Sequence, residues 1–308
     1  MSTRDGERAT GGAEKTMAKP IIDSHHHFWD PASGGDYAWL SGPFAPINRV
    51  FEPKDLRPSL AANHVAGTVL VQTWNGLSET WDFIRTAEET DFVAGVVGWV
   101  DLTDPKVGET IAALKASPEG KWLVGVRHLI QTEADPNWLL REDVKRGLAA
   151  VQKAGLVYDL VPNLPQLPSC VATAKSFPEM RFVLDHISKP EIRNHGFKEW
   201  AELMRGFRPE RGHVWCKLSG MVTEADWQTW KPADLRPYVL EALDIFGVDR
   251  CMFGTDWPVC LVAGSYTQVV DALRNCLKDL SEAELDQIFG GSAIEAYRLP
   301  QFQTASVK

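Results

Sequence analysis

His25 and His27 are the residues with the clearest potential for chemistry, because they are two histidines separated by one position. They lie in the stretch IIDSHHHFW, residues 21–29. The apolar start of this stretch predicts the end of a buried β-strand, in which side chains two positions apart share a face. Two imidazoles on one face can bind a metal ion, or can hold a polar substrate group by hydrogen bonds. The apolar residues on both sides argue against a purification tag.

Asp256 is the strongest candidate for a general base. It follows an apolar run in FGTDWP, residues 253–258, and the proline ends that run. A carboxylate close to imidazoles or to a metal ion can take a proton from an attacking water and later return it to a leaving oxygen. The alternative is an aspartate that caps the following turn.

His186 and Lys189 form a second candidate pair, in VLDHISKP, residues 183–190. An imidazole with an ammonium group one short loop away can stabilise a developing oxyanion. The alternative for His186 is a core histidine whose hydrogen bonds are satisfied within the protein.

Arg127 ends the apolar run VGVRH, residues 124–128. Its guanidinium group can bind a carboxylate or a pair of substrate oxygens. It could equally neutralise Asp159 or Asp101 in a buried ion pair. His128 would point to the other face of an ideal strand, so we interpret it as structural.

The elements that must position these residues are eight short apolar runs, each closed by a polar or turn residue. Most are near-continuously apolar, which is typical of parallel strands covered on both faces. Segments with helical periodicity lie between them, and Ser281 with Glu284 predicts a capping box before the last. Eight strands alternating with helices predict an α/β fold, the (β/α)8 TIM barrel. The predicted strands are 20–27, 67–74, 92–101, 122–131, 156–163, 181–186, 213–219 and 250–256, and the predicted helices are 78–90, 106–116, 137–154, 169–177, 195–207, 225–246, 266–280 and 281–297.

One long gap, residues 28–66, interrupts this alternation. It contains Trp29, Tyr37 and Trp39 together with five prolines. A loop of this length in a compact domain is usually functional, and here it would hang over the mouth of the barrel.

Chemistry in a TIM barrel comes from residues at the carboxyl ends of the strands. The predicted strand ends carry more titratable groups than a structural core tolerates, because buried charges are costly unless they are paired. The polar and aromatic residues at the predicted strand ends, titratable or not, are His25, His27, Gln72, Trp74, Asp101, Arg127, His128, Asp159, Asn163, Asp185, His186, Lys189, Lys217, Ser219, Asp256 and Trp257.

The composition excludes several classes of partner. The chain has 308 residues and a net charge of −9, and its scattered basic residues argue against nucleic acid or an anionic membrane as partner. No apolar run approaches the about 18 residues of a membrane span. Five cysteines without a C-x-x-C pair favour a reducing cytoplasm. Residues 1–18 predict a disordered leader, and residues 19–308 predict a single barrel domain.

Five motifs together resemble the amidohydrolase-related sugar-acid lactonases, of the L-fuconolactonase and L-rhamnonolactonase kind. They occur in family order over residues 19–299. The resemblance implies a barrel hydrolase that opens the cyclic ester of an aldonic acid to the free acid. The motifs are DxHxH (23–27), GVRH (125–128), LDHxxKP (184–190), CKLSG (216–220) and FGTDWPVC (253–260).

We expect the roles of the site residues to follow from this reaction. Asp256 would deprotonate water for attack on the lactone carbonyl and return the proton to the ring oxygen, while His186, with His27 or a metal ion, stabilises the oxyanion. The expected substrate-binding residues are Arg127, Lys189 and Tyr37 for the oxygens, and Trp29, Trp39 and Trp257 for the walls.

The resemblance also bears on a metal ion. His25, His27 and Asp256 are the expected ligands of one divalent ion, zinc or manganese. Metal-dependent amidohydrolases usually carry a further histidine or a carboxylated lysine before the sixth strand, where this chain offers His128 and Asp159. The lactonase branch includes members that act without a metal. We therefore expect that an ion can occupy this site but is not strictly required.

Two alternatives stay open. One is a metal-dependent decarboxylase of an aromatic or unsaturated acid on the same barrel, although the fifth strand lacks the second histidine that this reaction would favour. The other is a non-catalytic barrel that binds a sugar acid. The density of titratable groups at the strand ends argues against it.

Overall fold

Eight parallel strands form one closed barrel in sequence order, which confirms the predicted fold. The computed structural model describes residues 19–302, so the predicted leader and residues 303–308 lie outside the described part. The ends of the sheet meet where the His27 amide donates to the Trp257 carbonyl at 2.7 Å and the Asp256 amide donates to the His25 carbonyl at 2.8 Å. The strands are β1 (Ile21–His26), β2 (Val65–Val71), β3 (Val93–Gly98), β4 (Leu123–His128), β5 (Val157–Leu160), β6 (Phe182–Leu184), β7 (Val214–Leu218) and β8 (Cys251–Phe253).

Helices follow the strands and cover the outside of the barrel. The predicted capping box is present, since the Ser281 amide donates to Glu284 Oε2 at 2.8 Å. The helices are α1 (Pro53–Ala62), α2 (Leu77–Glu89), α3 (Val107–Ala116), α4 (Glu142–Lys153), α5 (Leu167–Ser176), α6 (Phe197–Met204), α7 (Met221–Glu224), α8 (Pro232–Phe246), α9 (Tyr266–Cys276), α10 (Glu282–Asp286) and α11 (Ser292–Tyr297).

The gap between the first two strands is not all loop, because α1 lies within it. Pro53 occupies the first helical position, where a missing N–H costs nothing, and Asp55 Oδ2 accepts from the Glu52 amide at 2.9 Å. The interpretation of the whole gap as a loop is therefore wrong for residues 53–62. The reason for the error is that a proline at a helix start and a proline in a loop look alike in sequence.

Residues 225–246 do not form the single predicted helix. The short helix α7 ends at Glu224 and α8 begins at Pro232. A residue that precedes a proline is disfavoured in the helical conformation, and Lys231 is accordingly extended, with φ −133° and ψ 157°.

The barrel interior consists of two layers. The lower layer is apolar, draws residues from all eight strands and is closed below by α11. The upper layer is charged and buried. In three places an apolar residue of the lower layer is followed two positions later by a charged residue of the upper layer. The pairs are Val157 with Asp159, Val183 with Asp185, and Trp215 with Lys217.

The five cysteines all lie within the described residues, and they are buried and unpaired. Between residues 19 and 302, every helix is too short or too polar to cross a membrane.

Candidate active site

His25, His27 and Asp256 converge at the mouth of the barrel. His25 lies in β1 and His27 directly follows it on the same face, with their Nε2 atoms 3.2 Å apart. Asp256 Oδ1 lies 3.3 Å from His27 Nε2 and 3.8 Å from His25 Nε2. The intervening His26 faces the neighbouring strand, where its Nε2 atom is 2.8 Å from Thr68 Oγ1. The alternation predicted for the H-x-H pair therefore brings two imidazoles to one carboxylate.

The hydrogen bonds of the two histidines define which ring nitrogens face the cluster. His27 Nδ1 lies 2.7 Å from the Val71 carbonyl, which can only accept, so Nδ1 carries the proton and neutral His27 has a lone pair on Nε2. His25 Nδ1 faces away from the cluster, toward Lys217 Nζ at 3.1 Å and Asp185 Oδ1 at 3.3 Å. Burial and the Lys217 charge hold the pKa of His25 well below its usual range, so the ring is neutral at pH 7.

These three side chains fit a divalent metal ion. Zinc binds histidine nitrogen at about 2.0–2.1 Å in tetrahedral sites, which places neighbouring ligand atoms about 3.4 Å apart. The observed separations among His25, His27 and Asp256 are 3.2, 3.3 and 3.8 Å. Imidazole nitrogen and carboxylate oxygen are also ligands that zinc accepts.

We predict that His27→Gln weakens the zinc affinity of the metal-free protein at least about 100-fold. Loss of a residue that only hydrogen-bonds to a metal ligand lowers metal affinity by about 10–100-fold, and loss of the ligand itself should cost more. Competition with a chromophoric chelator would measure the dissociation constant. His213→Gln is the matched control, since His213 Nε2 contacts the Ala174 carbonyl at 3.1 Å, outside the cluster. Equal zinc affinity of the His27 variant and the wild type would contradict the assigned ligand set.

Asp256 is ionised and is held in an unusual backbone conformation. It follows β8 with φ 61°, in the left-handed region. Burial acts to raise its pKa, but His186, His27 and Lys189 outweigh burial and hold the pKa below its usual range. Left-handed non-glycine residues concentrate at functional sites, where the surrounding structure holds them in place.

His186 approaches the cluster from the other side of the mouth. Its Nε2 atom lies 3.9 Å from Asp256 Oδ1, and its Nδ1 atom lies 2.9 Å from Ser219 Oγ. Burial lowers the pKa of His186 to about 4, so the ring is neutral at pH 7. Lys189, three residues later, is half-buried, and burial lowers its pKa.

Arg127 forms a buried ion pair with Asp185, with 2.8 Å between Nη1 and Oδ2. The side chain of Gln72 accepts from its Nε and Nη2 atoms at 3.1 and 2.8 Å. The alternative of a buried ion pair is therefore confirmed for Arg127, but the two partners suggested for it, Asp159 and Asp101, are wrong. Asp185 directly follows β6, which is separated from β4 by β5, and it lies 58 positions from Arg127 in the chain.

Lys217 is fully buried beneath the cluster. Its Nζ atom lies 2.7 Å from Asp159 Oδ2 and 2.9 Å from Asp185 Oδ1. The hydroxyl of Tyr297, from α11 below the barrel, donates to Asp159 Oδ2 at 2.7 Å. Burial raises the pKa of Asp159 to about 6, whereas Lys217, His25 and Arg127 outweigh burial at Asp185 and hold its pKa well below the usual range. Two carboxylates and two basic groups thus neutralise one another under the site.

A cavity of about 290 Å³ opens above these residues. A larger surface cavity of about 760 Å³, between α6 and α8, contains none of the predicted site residues. The predicted site residues that line the smaller cavity are His27, Trp29, Trp39, Arg127, His186, Lys189 and Asp256.

The segment after β1 covers this cavity with aromatic rings. Trp39 and Phe44 line the cavity, and their ring centroids are 5.6 Å apart. Phe44 in turn packs on Trp227, which follows α7, at 5.3 Å. The first part of the predicted loop therefore crosses the mouth as expected.

Two predicted substrate-binding residues do not line this cavity. The Tyr37 hydroxyl lies 3.0 Å from Thr73 Oγ1 and 3.5 Å from Glu79 Oε1. Trp257 is 3% exposed and packs edge-on against Phe51. The expectation that these two side chains bind substrate is corrected by their positions, and we leave both out of the proposed site.

Asp23 is a residue whose role the sequence reasoning missed. It accepts from the Thr255 amide at 3.0 Å, the Thr255 hydroxyl at 2.6 Å and the Tyr266 hydroxyl at 2.9 Å. It thereby joins the middle of β1 to the segment that carries Asp256. Burial raises its pKa to about 6. The signal was present in the DxHxH motif, which places an aspartate two positions before His25.

The family of the chain follows from comparison with known proteins. Residues 22–299 match the family described as Amidohydrolase. The chain belongs to the amidohydrolase family. Two relatives of this amidohydrolase are named L-fucono-1,5-lactonase. The protein from Burkholderia multivorans is 36% identical, covering 91% of this chain and 96% of that protein, and the protein from Burkholderia ambifaria is 35% identical, covering 90% and 95%.

A solved structure supports the same relationship. The crystal structure of an amidohydrolase from Burkholderia multivorans with bound zinc superposes on this amidohydrolase with a TM-score of 0.85 and 35% identity. The match covers 91% of this chain and the whole of that one.

Proposed function

We propose that this amidohydrolase opens a sugar-acid lactone of the L-fuconolactone or L-rhamnonolactone kind to the free aldonic acid. The observation that carries the proposal is the ionised Asp256 carboxylate, which lines the 290 Å³ cavity and lies within 4 Å of the imidazoles of His25, His27 and His186. Relatives at 36% and 35% identity are named L-fucono-1,5-lactonase, which favours lactone hydrolysis over decarboxylation.

The first step that we propose is attack of water on the lactone carbonyl. Asp256 accepts a proton from this water, since its pKa lies below the usual range and the carboxylate is ionised at neutral pH. A lactone is an activated ester, so a positioned water, one base and one oxyanion donor are sufficient. Asp256 then returns the proton to the ring oxygen as the ester bond breaks.

His186 is the oxyanion donor in this proposal. The Ser219 hydroxyl can donate to Nδ1 at 2.9 Å, which leaves the proton of the neutral ring on Nε2, toward Asp256 and the cavity. His27 cannot share this role in its neutral form, because its proton is on Nδ1, bonded to the Val71 carbonyl. We therefore revise its expected role and assign His27 to accepting a hydrogen bond from the attacking water or to binding an ion.

His25, His27 and Asp256 would hold a divalent ion, zinc or manganese. When bound, the ion would supply Lewis-acid stabilisation of developing negative charge. We propose that the ion can occupy the site but is not strictly required, because Asp256 and His186 already provide a base and a hydrogen-bond donor.

We predict that Lys189→Met lowers kcat/KM for the lactone substrate by roughly 10–100-fold. Lys189 lines the cavity, and a hydrogen bond from a charged group contributes about 1.5–3 kcal/mol. Steady-state kinetics on the preferred lactone would measure the loss. Lys198→Met, an exposed lysine on α6, is the control and should leave kcat/KM unchanged. A Lys189 variant as active as the control would remove Lys189 from the site.

The experiment that tests the function is acid release, followed with a pH indicator, from L-fucono-, L-rhamnono- and D-galactono-lactones, with and without a chelator. Fast opening of one lactone would support the proposal, and the chelator would distinguish a required ion from an optional one. Tight binding without turnover would favour the non-catalytic sugar-acid barrel. Release of carbon dioxide from an aromatic acid, without lactone opening, would favour the decarboxylase.

The unpaired state of all five cysteines supports a further part of the proposal, that the enzyme works in a reducing cytoplasm.

A further inference from the structure

The turn that carries His186 and Lys189 has a rare backbone conformation. Four consecutive residues, none of them glycine, have positive φ: 54° at His186, 43° at Ile187, 63° at Ser188 and 48° at Lys189. The left-handed conformation costs free energy at each such residue and normally occurs singly. A β-branched residue such as Ile187 is especially disfavoured there. The surrounding structure must therefore hold this turn.

Trp200 holds the turn at its centre. This tryptophan of α6 is fully buried, and its indole Nε1–H donates to the Ile187 carbonyl at 2.7 Å. Its ring packs on Tyr238 of α8, with centroids 5.1 Å apart. The indole is thus fixed by two helices outside the barrel while its N–H group reaches the turn at the mouth.

The His186 ring is fixed from the opposite side by residues after β7. Gly220 has φ +69°, and a Cβ atom on it would lie 2.8 Å from His186 Nδ1. The imidazole therefore rests against bare backbone, next to its contact with Ser219. Since the ring has little room to move on this side, its position depends on where the turn places its Cα atom.

We propose that Trp200 is a positioning residue for the reaction. Its hydrogen bond to Ile187 maintains the left-handed turn, and the turn directs His186 and Lys189 into the cavity. The expected change in kcat/KM rests on the proposed lactone hydrolysis. The expected change in the conformation of the turn does not. Misplacement of a catalytic group by about 1 Å can cost about 100-fold in rate.

The test removes the indole N–H group of Trp200 and keeps an aromatic ring at this position. Trp200→Phe does this with a smaller ring, and benzothienylalanine at position 200 does it with the shape of tryptophan, a sulfur atom replacing N–H. We expect kcat/KM for the preferred lactone to fall about 100-fold in both, with a lower kcat and a higher KM. A smaller folded fraction would lower the apparent kcat but leave KM unchanged.

Trp122→Phe is the matched control, because it removes the bond of 2.6 Å from Trp122 Nε1 to Glu88 at the other end of the barrel. It should leave kcat and KM unchanged. Wild-type kcat and KM in the benzothienylalanine protein would overturn the inference, as would a loss in kcat alone.

Hydrogen exchange of the peptide 184–192 provides a readout without substrate. We expect faster amide exchange there in both Trp200 variants and no change in the Trp122 variant. Unchanged exchange would overturn the inference even if activity fell. If the wild type opens no lactone, the proposed function fails, and exchange still decides whether Trp200 holds the turn.

Discussion

Replacement of Asp256 by asparagine is expected to lower kcat for lactone opening by about a thousandfold, because general acid–base catalysis contributes about 10²–10⁴. Asparagine lacks the negative charge that accepts a proton from water. It tolerates the left-handed backbone found at Asp256, φ 61°, so the fold should be retained. Initial rates of acid release and a thermal unfolding curve would measure both effects.

Asp101→Asn is the matched control for this substitution. Asp101 also follows a barrel strand, but it is exposed and accepts from the Thr103 amide at 2.9 Å. An amide oxygen can accept the same bond, so activity should remain at the wild-type level. If the Asp256 variant retained nearly normal turnover, Asp256 would not be the base, and the proposed mechanism would have to be abandoned.

Replacement of Lys217 by methionine is expected to lower the free energy of unfolding by about 3–5 kcal/mol, the usual cost of removing one partner from a buried ion pair. Methionine has a similar length but no charge. In the variant, Asp159 and Asp185 would stay fully buried. Arg127 would still contact Asp185, but Asp159 would lose the ammonium group that contacts it. Urea unfolding followed by tryptophan fluorescence would measure the change.

A second substitution tests whether charge balance is the cause. Asp159→Asn in the Lys217→Met background removes one charge of each sign and keeps the pair between Arg127 and Asp185. The double variant should be more stable than Lys217→Met alone, because no buried carboxylate is then left without a basic partner. Additive losses from the two substitutions would indicate that packing, and not charge, determines the cost.

The sequence by itself determined the architecture and much of the site. Apolar runs and helical periodicity are properties of neighbouring residues, so they predict eight strands and the barrel without any long-range information. Side chains in a strand alternate between faces, so His25 and His27 could be placed together. Because chemistry lies at the carboxyl ends of barrel strands, His186 and Asp256 could be expected near them.

The tertiary structure decided which charged groups pair and which aromatic rings line the cavity. Arg127 and Asp185 are 58 positions apart in the chain and meet only across the closed barrel, so no local pattern could select Asp185 over Asp159. Tyr37 and Trp257 belong to segments that the sequence predicts at the mouth of the barrel, but their side chains pack away from the cavity. The direction of a side chain and the identity of its ion-pair partner depend on packing between elements that are distant in the chain. The spacing of residues in the sequence does not encode this packing.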